Sequence, residues 1–336
     1  EKVVPEYVKI SKSTKICQAD DILIARYGAS IGKILTGLSG AYNVAIMRAI
    51  PDTHMLQKKY LYYYLKSPYF QTAILNVGSR AAQAGFNKED LSKLEIKCPL
   101  LSEQDSIIDI LQKVESIIGK RKKELIFLDE LVKARFVEMF GDPRSNPFGF
   151  PKSMLKDTCK VVTGNTPPRA AQEYYGDYVE WIKTDNIVPG MINPTKATES
   201  LSEEGIKVGR TVGKNSILMA CIAGSIASIG KVCVTDRTVA FNQQINAVIS
   251  KEYNILFLYV MLQLSKDYLV EEINMSLKGI LSKSKLEEKE FIVPPIDLQE
   301  QFSEFVEQVD KSKDSVKKAL DEAQLLFDSL MQQYFG

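Results

Sequence analysis

Histidine is all but missing from this chain: His54 is the only one in 336 residues. A Ser-His-Asp or Cys-His catalytic set could therefore be built only around His54, beside the Pro51-Asp52 turn, and no nucleophile motif accompanies it. The five cysteines, Cys17, Cys98, Cys159, Cys221 and Cys233, form no Cys-x-x-Cys pair, which argues against both a zinc site and a disulfide framework. Long hydrophobic runs are lacking too. The most apolar stretch, Ile255 to Leu264, is too short to span a bilayer, and the N-terminus shows no charged-then-apolar signal pattern. A cytoplasmic protein is expected. Charge of one sign is also lacking, since the formal net charge is +1. The basic clusters Lys120-Arg121-Lys122-Lys123 and Lys278, Lys283, Lys285, Lys289 fit either a binding face or a merely solvated one.

What the chain has is a repeat. The first copy reads Ile22-Leu23-Ile24, Ser30-Ile31-Gly32-Lys33, Ala41-Tyr42-Asn43, Pro99, Glu103-Gln104 and Met139-Phe140-Gly141. The second reads Ile217-Leu218-Met219, Ser228-Ile229-Gly230-Lys231, Ala240-Phe241-Asn242, Pro294-Pro295, Glu300-Gln301 and Tyr334-Phe335-Gly336. The offset of about 195 to 199 residues is far longer than a solenoid unit, so it denotes duplicated domains, and duplication suggests a two-part target. The second copy begins near Lys152, whereas residue 1 maps about 45 residues further into it. A first domain lacking its N-terminal part is therefore expected.

Two amphipathic stretches close the copies. Apolar residues at Ile107, Leu111, Val114, Ile118, Leu125, Leu128, Val132 and Met139 alternate spacings of four and three, with a polar break at Arg121. A similar seam runs through Phe302, Phe305, Val309, Val316, Leu320, Ala323, Phe327, Leu330 and Tyr334, broken near Ser312. Each helix of about 38 residues would extend roughly 57 Å. Helices of that length cannot bury their stripe in a small domain, so an antiparallel pair with an internal pseudo-twofold is expected; a rigid spacer or dimerisation stalk is the plainer alternative. Short β-branched runs such as Ala240 to Ile249 alternate with helical spacing in Tyr60 to Leu75 and Leu256 to Ile273, predicting an α+β class. Tyr60, Tyr62, Tyr63, Tyr64 and Tyr69 sit at helical spacing and read as core and rim before they read as a base-stacking platform. The segment from Asp142 to Pro151, rich in Pro, Gly and small polar residues, reads as a linker. The expected domains are 1–98, an incomplete first domain; 99–141, a helix; 142–151, the linker; 152–295, the second domain; and 296–336, the distal helix.

Tempting motifs fail on spacing. Gly28-Ala29-Ser30-Ile31-Gly32-Lys33 has three residues between its glycines and Ile34 after the lysine, whereas a phosphate-binding loop needs four and a hydroxyl. Its duplicate, Gly224 to Gly230, has five, and Val232 follows the lysine. A turn placing Lys33 and Lys231 at its edge is the simpler account, and such a turn can touch a DNA phosphate. Asn146-Pro147-Phe148 matches part of the Asn-Pro-Pro-aromatic loop of adenine methyltransferases but lacks the second proline, and no Gly-x-Gly site precedes it.

The order Val162-Thr163-Gly164-Asn165-Thr166-Pro167, Tyr178 to Ile182, Lys183-Thr184-Asp185-Asn186-Ile187, Ile217 to Lys231, Phe241-Asn242-Gln243-Gln244, Val293-Pro294-Pro295-Ile296 and Gln299-Glu300-Gln301 resembles a target-recognition domain and conserved helix of the type I restriction-modification specificity subunit. The first copy matches from Asp21 onward, through Cys98-Pro99-Leu100-Leu101, Ser102-Glu103-Gln104 and Phe136 to Asp142, so the resemblance covers nearly the whole chain. The departures are the missing start of the first domain and a Glu103-Gln104 pair one residue closer to its proline than in the second copy. The resemblance implies two similar target-recognition domains joined by two long antiparallel coiled-coil helices. It also implies a subunit without chemistry or cofactor of its own that reads a bipartite double-stranded DNA site. Two modification (methyltransferase) subunits carrying S-adenosylmethionine would dock on its helices, and restriction/translocase subunits using ATP and magnesium would join through the complex.

Base reading needs paired donors and acceptors on loops or strand ends. In the second domain Thr163, Asn165, Thr166, Lys183, Thr184, Asn186, Ser225, Lys231, Gln243, Gln244, Ser276 and Lys278 are candidates, the last two in the loop Asn274 to Gly279. In the first domain the candidates are Arg26, Tyr27, Ser30, Lys33, Asn43, Ser79, Arg80 and Gln83. Loop capping is the competing role for each. Partner docking through the helices is placed on Ile107, Leu111, Leu128, Val132, Phe305, Val309, Leu320 and Phe327. A DNA-independent coiled-coil scaffold, or an enzyme whose catalytic part lies in the missing segment, are the alternative functions.

Overall fold

The structure, a computed structural model, describes residues 6–78, 85–273 and 279–336. Each seam forms one continuous helix, Leu101–Phe140 and Ile296–Phe335. Contacts divide the chain into two units, Glu1–Lys123 with Val316–Gly336, and Glu124–Ser315. The division cuts both long helices, so each unit contains half of each.

In the second unit the half-helices run antiparallel. Asp129 pairs with Lys313, the Arg135 guanidinium lies 5.9 Å over the Phe305 ring, and Phe136 meets Phe302 with ring centroids 5.4 Å apart. Chain number rises on one helix as it falls on the other. The ends of these halves enter the domain core: Phe136, Phe140, Phe257 and Phe302 are fully buried against one another. In the first unit Ile108 and Leu111 share a cluster with Met331 and Phe335, and Phe335 reaches Tyr60 at 5.0 Å. Tyr60, Tyr63 and Tyr64 are buried there, with hydroxyls donating to the Lys97 carbonyl, the Glu115 carboxylate and the Glu95 carbonyl. They are core, as their spacing predicts.

The seam differs from the periodic expectation where the domains intervene. Phe136, Phe140, Val306, Met331 and Phe335 are buried although the seven-residue pattern skips them, because a domain core covers an extra flank of each helix. The proposed docking positions Leu111, Val132 and Val309 are buried, and Ile107, Leu128, Phe305, Leu320 and Phe327 are partly buried. Seven of these eight side chains join the apolar clusters of their own units, Leu320 being the exception. Lys313 occupies a seam position and is 7 % exposed, its ammonium held by Asp129. This paired cation explains why the apolar pattern breaks beside Ser312.

The repeat also holds in three dimensions. Each unit has a central antiparallel sheet: Ile34–Leu35, Ile22–Ala25 and Ile46–Ala49 in the first, and Val232–Val234, Ile217–Ala220, Ile245–Ser250 and Cys159–Thr163 in the second. The turns at Gly32 and Gly230 are equivalent, with φ near +79° and +77° and N–H groups donating to Ala25 and Ala220. Only glycine takes that conformation readily, so the recurring Gly-Lys closes a strand connection and is no phosphate cradle. Helices Lys58–Lys66 and Ile255–Leu264 then pack on the sheets.

One pairing differs from the sequence alignment. Gln104 accepts from the Gln57 N–H and donates to the carbonyls of Met55 and Pro99, while Gln299 accepts from the Asn254 N–H and donates to the Pro294 carbonyl. Both are essentially buried. Gln104 therefore corresponds to Gln299, not Gln301, and its spacing from the proline is unchanged. The buried amide satisfies a free N–H where the shorter helix begins, a group that would otherwise be costly to bury.

The segment after the first helix is an ordered turn. Gly141, at φ +71°, ends the helix, and the Asp142 carboxylate accepts from the N–H groups of Arg144 and Ser145. Asn146 exchanges two hydrogen bonds with the Phe150 backbone. Lys152–Met154 then pairs antiparallel with Glu290–Ile292. No helix among the described residues is long and apolar enough to cross a membrane.

Candidate nucleic-acid interface

Strand register gathers the second unit's loops at one end of its sheets. Thr163, Asn246, Met219 and Val232 lie in one row across the central sheet, so the segments after Thr163 and Ala220 and before Ile245 and Val232 leave from the same end. In the neighbouring sheet Val179–Ile182 and Val239–Phe241 run parallel, and Thr211 lies opposite Ala240. The turns at 183–186, 208–210 and 242–244 therefore share that sheet's end.

The loop from Thr163 to Arg169 is tightly tied. Gly164 and Asn165 N–H groups donate to the Ile245 and Phe241 carbonyls, Trp181 Nε1 donates to the Asn165 carbonyl, and the Tyr175 hydroxyl donates to the Pro167 carbonyl. The Thr166 hydroxyl donates to Gln243 Oε1, which orients the amide of an exposed side chain. Around buried Trp181, Arg169 lies 4.8 Å and Lys183 5.2 Å from the ring centroid, and both cations share the Glu199 carboxylate. Those two cations hold the Glu199 carboxyl below the usual carboxylate range.

Several expected base readers are structural. Asn165 donates to the Val208 carbonyl and accepts from the Arg210 N–H, so its amide braces the 208–210 turn. Asn186 is buried, accepts from the Lys183 N–H and donates to the Thr195 hydroxyl and Lys196 carbonyl. Gln244 is tied to Asn242 by two hydrogen bonds, and Ser225 to Ser228 by one. Lys231 lines a cavity of about 390 Å³ with Asp129, Lys133, Lys266 and Lys313, apart from the Gln243 loop. Thr163 offers its carbonyl to Arg210, and Thr184 opens the short turn at 184–186, half-buried. Short polar residues at strand ends satisfy local backbone groups first, and only the fold shows which remain outward.

In the first unit Arg26 donates through Nε to the Phe86 carbonyl, through one terminal nitrogen to the Val44 carbonyl and through the other to the Tyr27 hydroxyl. Arg26 is thus a brace, and exposed Tyr27 is what it presents, its ring over Gly85 where any Cβ would lie 2.4 Å away. Asn43 accepts from the Ala45 N–H in a local turn. Ser30 and Lys33 are exposed. Ser79, Arg80, Gln83, Ser276 and Lys278 lie outside the described residues.

Arg169 and Arg210 escaped the sequence reading, although arginine is the commonest specific partner of guanine. The available signal was Gly209-Arg210 immediately before a β-branched pair, a loop-to-strand junction. Burial pushes the Cys159 thiol up to about 11 and those of Cys221 and Cys233 to about 12. Among the described residues no cluster of three His, Cys, Asp or Glu side chains could hold a metal.

Glu180 illustrates how this unit depends on ionisation. It takes a bidentate contact from Arg237 at 2.9 Å and the Ala197 N–H at 2.7 Å, and the Arg237 contact, despite opposing burial, holds the carboxyl below its ordinary 4.5. A depressed folded pKa contributes stability above the unfolded value and loses it as pH falls through the folded one. Unfolding midpoints should therefore fall less steeply between about pH 5 and pH 3 in Glu180→Gln than in the native chain. Equal slopes would remove this pair as a source of acid sensitivity.

Two loop-bearing copies, each completed by halves of two long helices, define a duplicated α+β class whose exposed loop ends carry cations and amides. The family described as the type I restriction modification DNA specificity domain matches residues 3–126 and 148–324, and the chain belongs to that family. It is 28 % identical over 218 residues to the type I restriction enzyme HindI specificity subunit of Haemophilus influenzae, covering 57 % of this chain and 46 % of that protein. It is 23 % identical over 301 residues to the MjaVIII specificity subunit of Methanocaldococcus jannaschii, covering 82 % and 68 %. The chain thus spans about half the length of the first relative and about two thirds of the second. Among solved structures, the S subunit from M. genitalium matches with a TM-score of 0.58 at 16 % identity over 96 % of this chain and 84 % of that one. A chain from a study of complex assembly and conformational transition of the type I R-M system matches at 0.63, with 14 % identity over 97 % and 84 %. These two likenesses support the α+β architecture expected from the sequence.

Proposed function

We propose that this chain is the DNA-specificity subunit of a type I restriction-modification complex, reading a bipartite duplex with one half-site per unit. The observation that carries this reading is the duplicated fold of that family with a fixed polar loop end at Thr163–Arg169, Arg210 and Gln243. The chain itself contributes no catalysis and no cofactor. Methyl transfer from S-adenosylmethionine belongs to two docked modification subunits, and ATP- and magnesium-dependent cleavage to restriction subunits, all in the cytoplasm. Lys33, Tyr27 and Ser30 in the first unit and Gln243 in the second are the sequence-derived candidates whose exposure best suits DNA contact, with half-buried Thr166 orienting Gln243 and Lys183 held by Glu199 beside it.

Selection from a library of duplexes with two randomised segments, in the presence of the modification subunit, should enrich a two-part sequence. Gln243→Ala should then lose discrimination in one part only, by about 5- to 150-fold at one base pair. Enrichment of no sequence would leave the scaffold reading in its place.

A further inference from the structure

Arg210 stands apart from the other arginines of its unit. Arg135, Arg144, Arg169 and Arg237 each form an ion pair with a carboxylate, at 2.6 to 2.9 Å. Arg210 has no acidic partner among the described residues, yet its position is fixed at both ends. Its main-chain N–H donates to Asn165 Oδ1 at 2.9 Å, and one terminal guanidinium nitrogen donates to the Thr163 carbonyl at 2.6 Å. Asn165 is itself locked by the Val208 carbonyl and by Trp181, so the 208–210 turn and the Thr163–Thr166 loop form one braced element. The side chain is exposed. A guanidinium has five N–H donors, and a single neutral acceptor leaves a two-donor edge unfilled.

Resting on the reading of this chain as a DNA-specificity subunit, we propose that Arg210 is a specificity-determining residue of the second unit and recognises guanine. The four other arginines of the unit are each committed to a carboxylate, and the bracing Arg26 of the first unit spends its three nitrogens on three neutral acceptors, whereas Arg210 spends one. A phosphate also accepts a guanidinium fork, but it carries no base identity, so the salt slope and the base preference separate the two partners. Guanine offers O6 and N7 in a fixed plane at the major-groove edge, and a guanidinium anchored by one nitrogen loses little freedom in matching both. The Thr163 carbonyl supplies that anchor without neutralising the charge. Gln243, oriented from the same loop through Thr166, is placed for a base near the one Arg210 takes.

The experiment is duplex selection and salt-dependent binding with the full chain and its modification subunit, comparing the native protein with Arg210→Ala and Arg210→Lys. The native protein should select a guanine in one half-site. Both variants should lose that preference by about 10- to 100-fold while the other half-site is still selected and the slope of log affinity against log salt is nearly unchanged. Three results overturn the proposal. Arg210→Ala could keep the guanine, or Arg210→Lys could keep it in full, or binding to duplexes with and without the guanine could weaken alike with a salt slope smaller by about one, the mark of a phosphate contact. Failure of the native protein to select any sequence would instead overturn the functional reading itself. If Arg210→Ala does not fold, the charge-conserving Arg210→Lys decides alone.

Discussion

Replacing Phe302 by alanine will lower the thermal midpoint of the second unit by roughly 6 to 20 °C. The ring is fully buried and meets Phe136, Phe140 and Phe257 at centroid distances of 5.4, 5.7 and 6.4 Å. Its edge-on contacts fix the distal helix against both the first helix and the domain helix Ile255–Leu264. Removing a buried phenyl group costs about 3–5 kcal/mol, because lost transfer energy adds to the energy of a cavity that aromatic neighbours fill only in part. For a unit of this size each kcal/mol is worth about 2–4 °C. Leu325→Ala provides the control, since Leu325 lies on the distal helix with 72 % exposure and should shift nothing measurable. Differential scanning calorimetry decides it: a shift under about 2 °C for Phe302→Ala would mean that the aromatic cluster does not join helices to domain as described.

The second large effect is expected at Gly164. A Cβ there would lie 2.1 Å from the Asn242 carbonyl oxygen and 2.5 Å from that of Phe241, both main-chain atoms in a two-sheet junction. No rotamer change relieves such an overlap. The two loops must separate, and the hydrogen bonds from Gly164 to Ile245 and from Asn165 to Phe241 lengthen or break. Gly164→Ala should cost about 3 kcal/mol, at the upper end for overpacking. It should also disturb the Thr166–Gln243 contact, so that discrimination in one half-site falls while the other persists. Gly213→Ala, where no atom lies within 4 Å of the added carbon, should alter neither. Unchanged stability together with unchanged selection in Gly164→Ala would contradict the tight approach of these loops.

Much of this architecture was legible because period and order survive in sequence. Apolar spacing gave the two long helices nearly to their ends, and the recurring Gly32-Lys33 and Gly230-Lys231 located equivalent turns. Less legible was anything that depends on which neighbour claims a polar group. Asn165 and Asn186 have the chemistry of adenine readers, but backbone groups and the Thr195 hydroxyl nearer in space consume it. Arg26 is spent in the same way. Arg210 shows the converse, a side chain whose interest lies in what it does not pair with, and no local pattern announces that. The equivalence of Gln104 with Gln299 was likewise obscured, because Glu-Gln recurs by chance two residues beyond the buried amide.

The placement of Met331 and Phe335 in the core around Tyr60 and Tyr64 bears on how the chain is made. The unit synthesised first is the one completed last, since its cluster waits for the closing turns of the distal helix. About 190 residues of the other unit are translated in between, which at 5–20 residues per second takes roughly 10 to 40 s. During that interval the nascent first unit leaves an aromatic surface uncovered. A released chain truncated before Val316 should accordingly be bound by a chaperone or cleaved by protease in its first 123 residues, while residues 124–315, whose own half-helices are present, already resist.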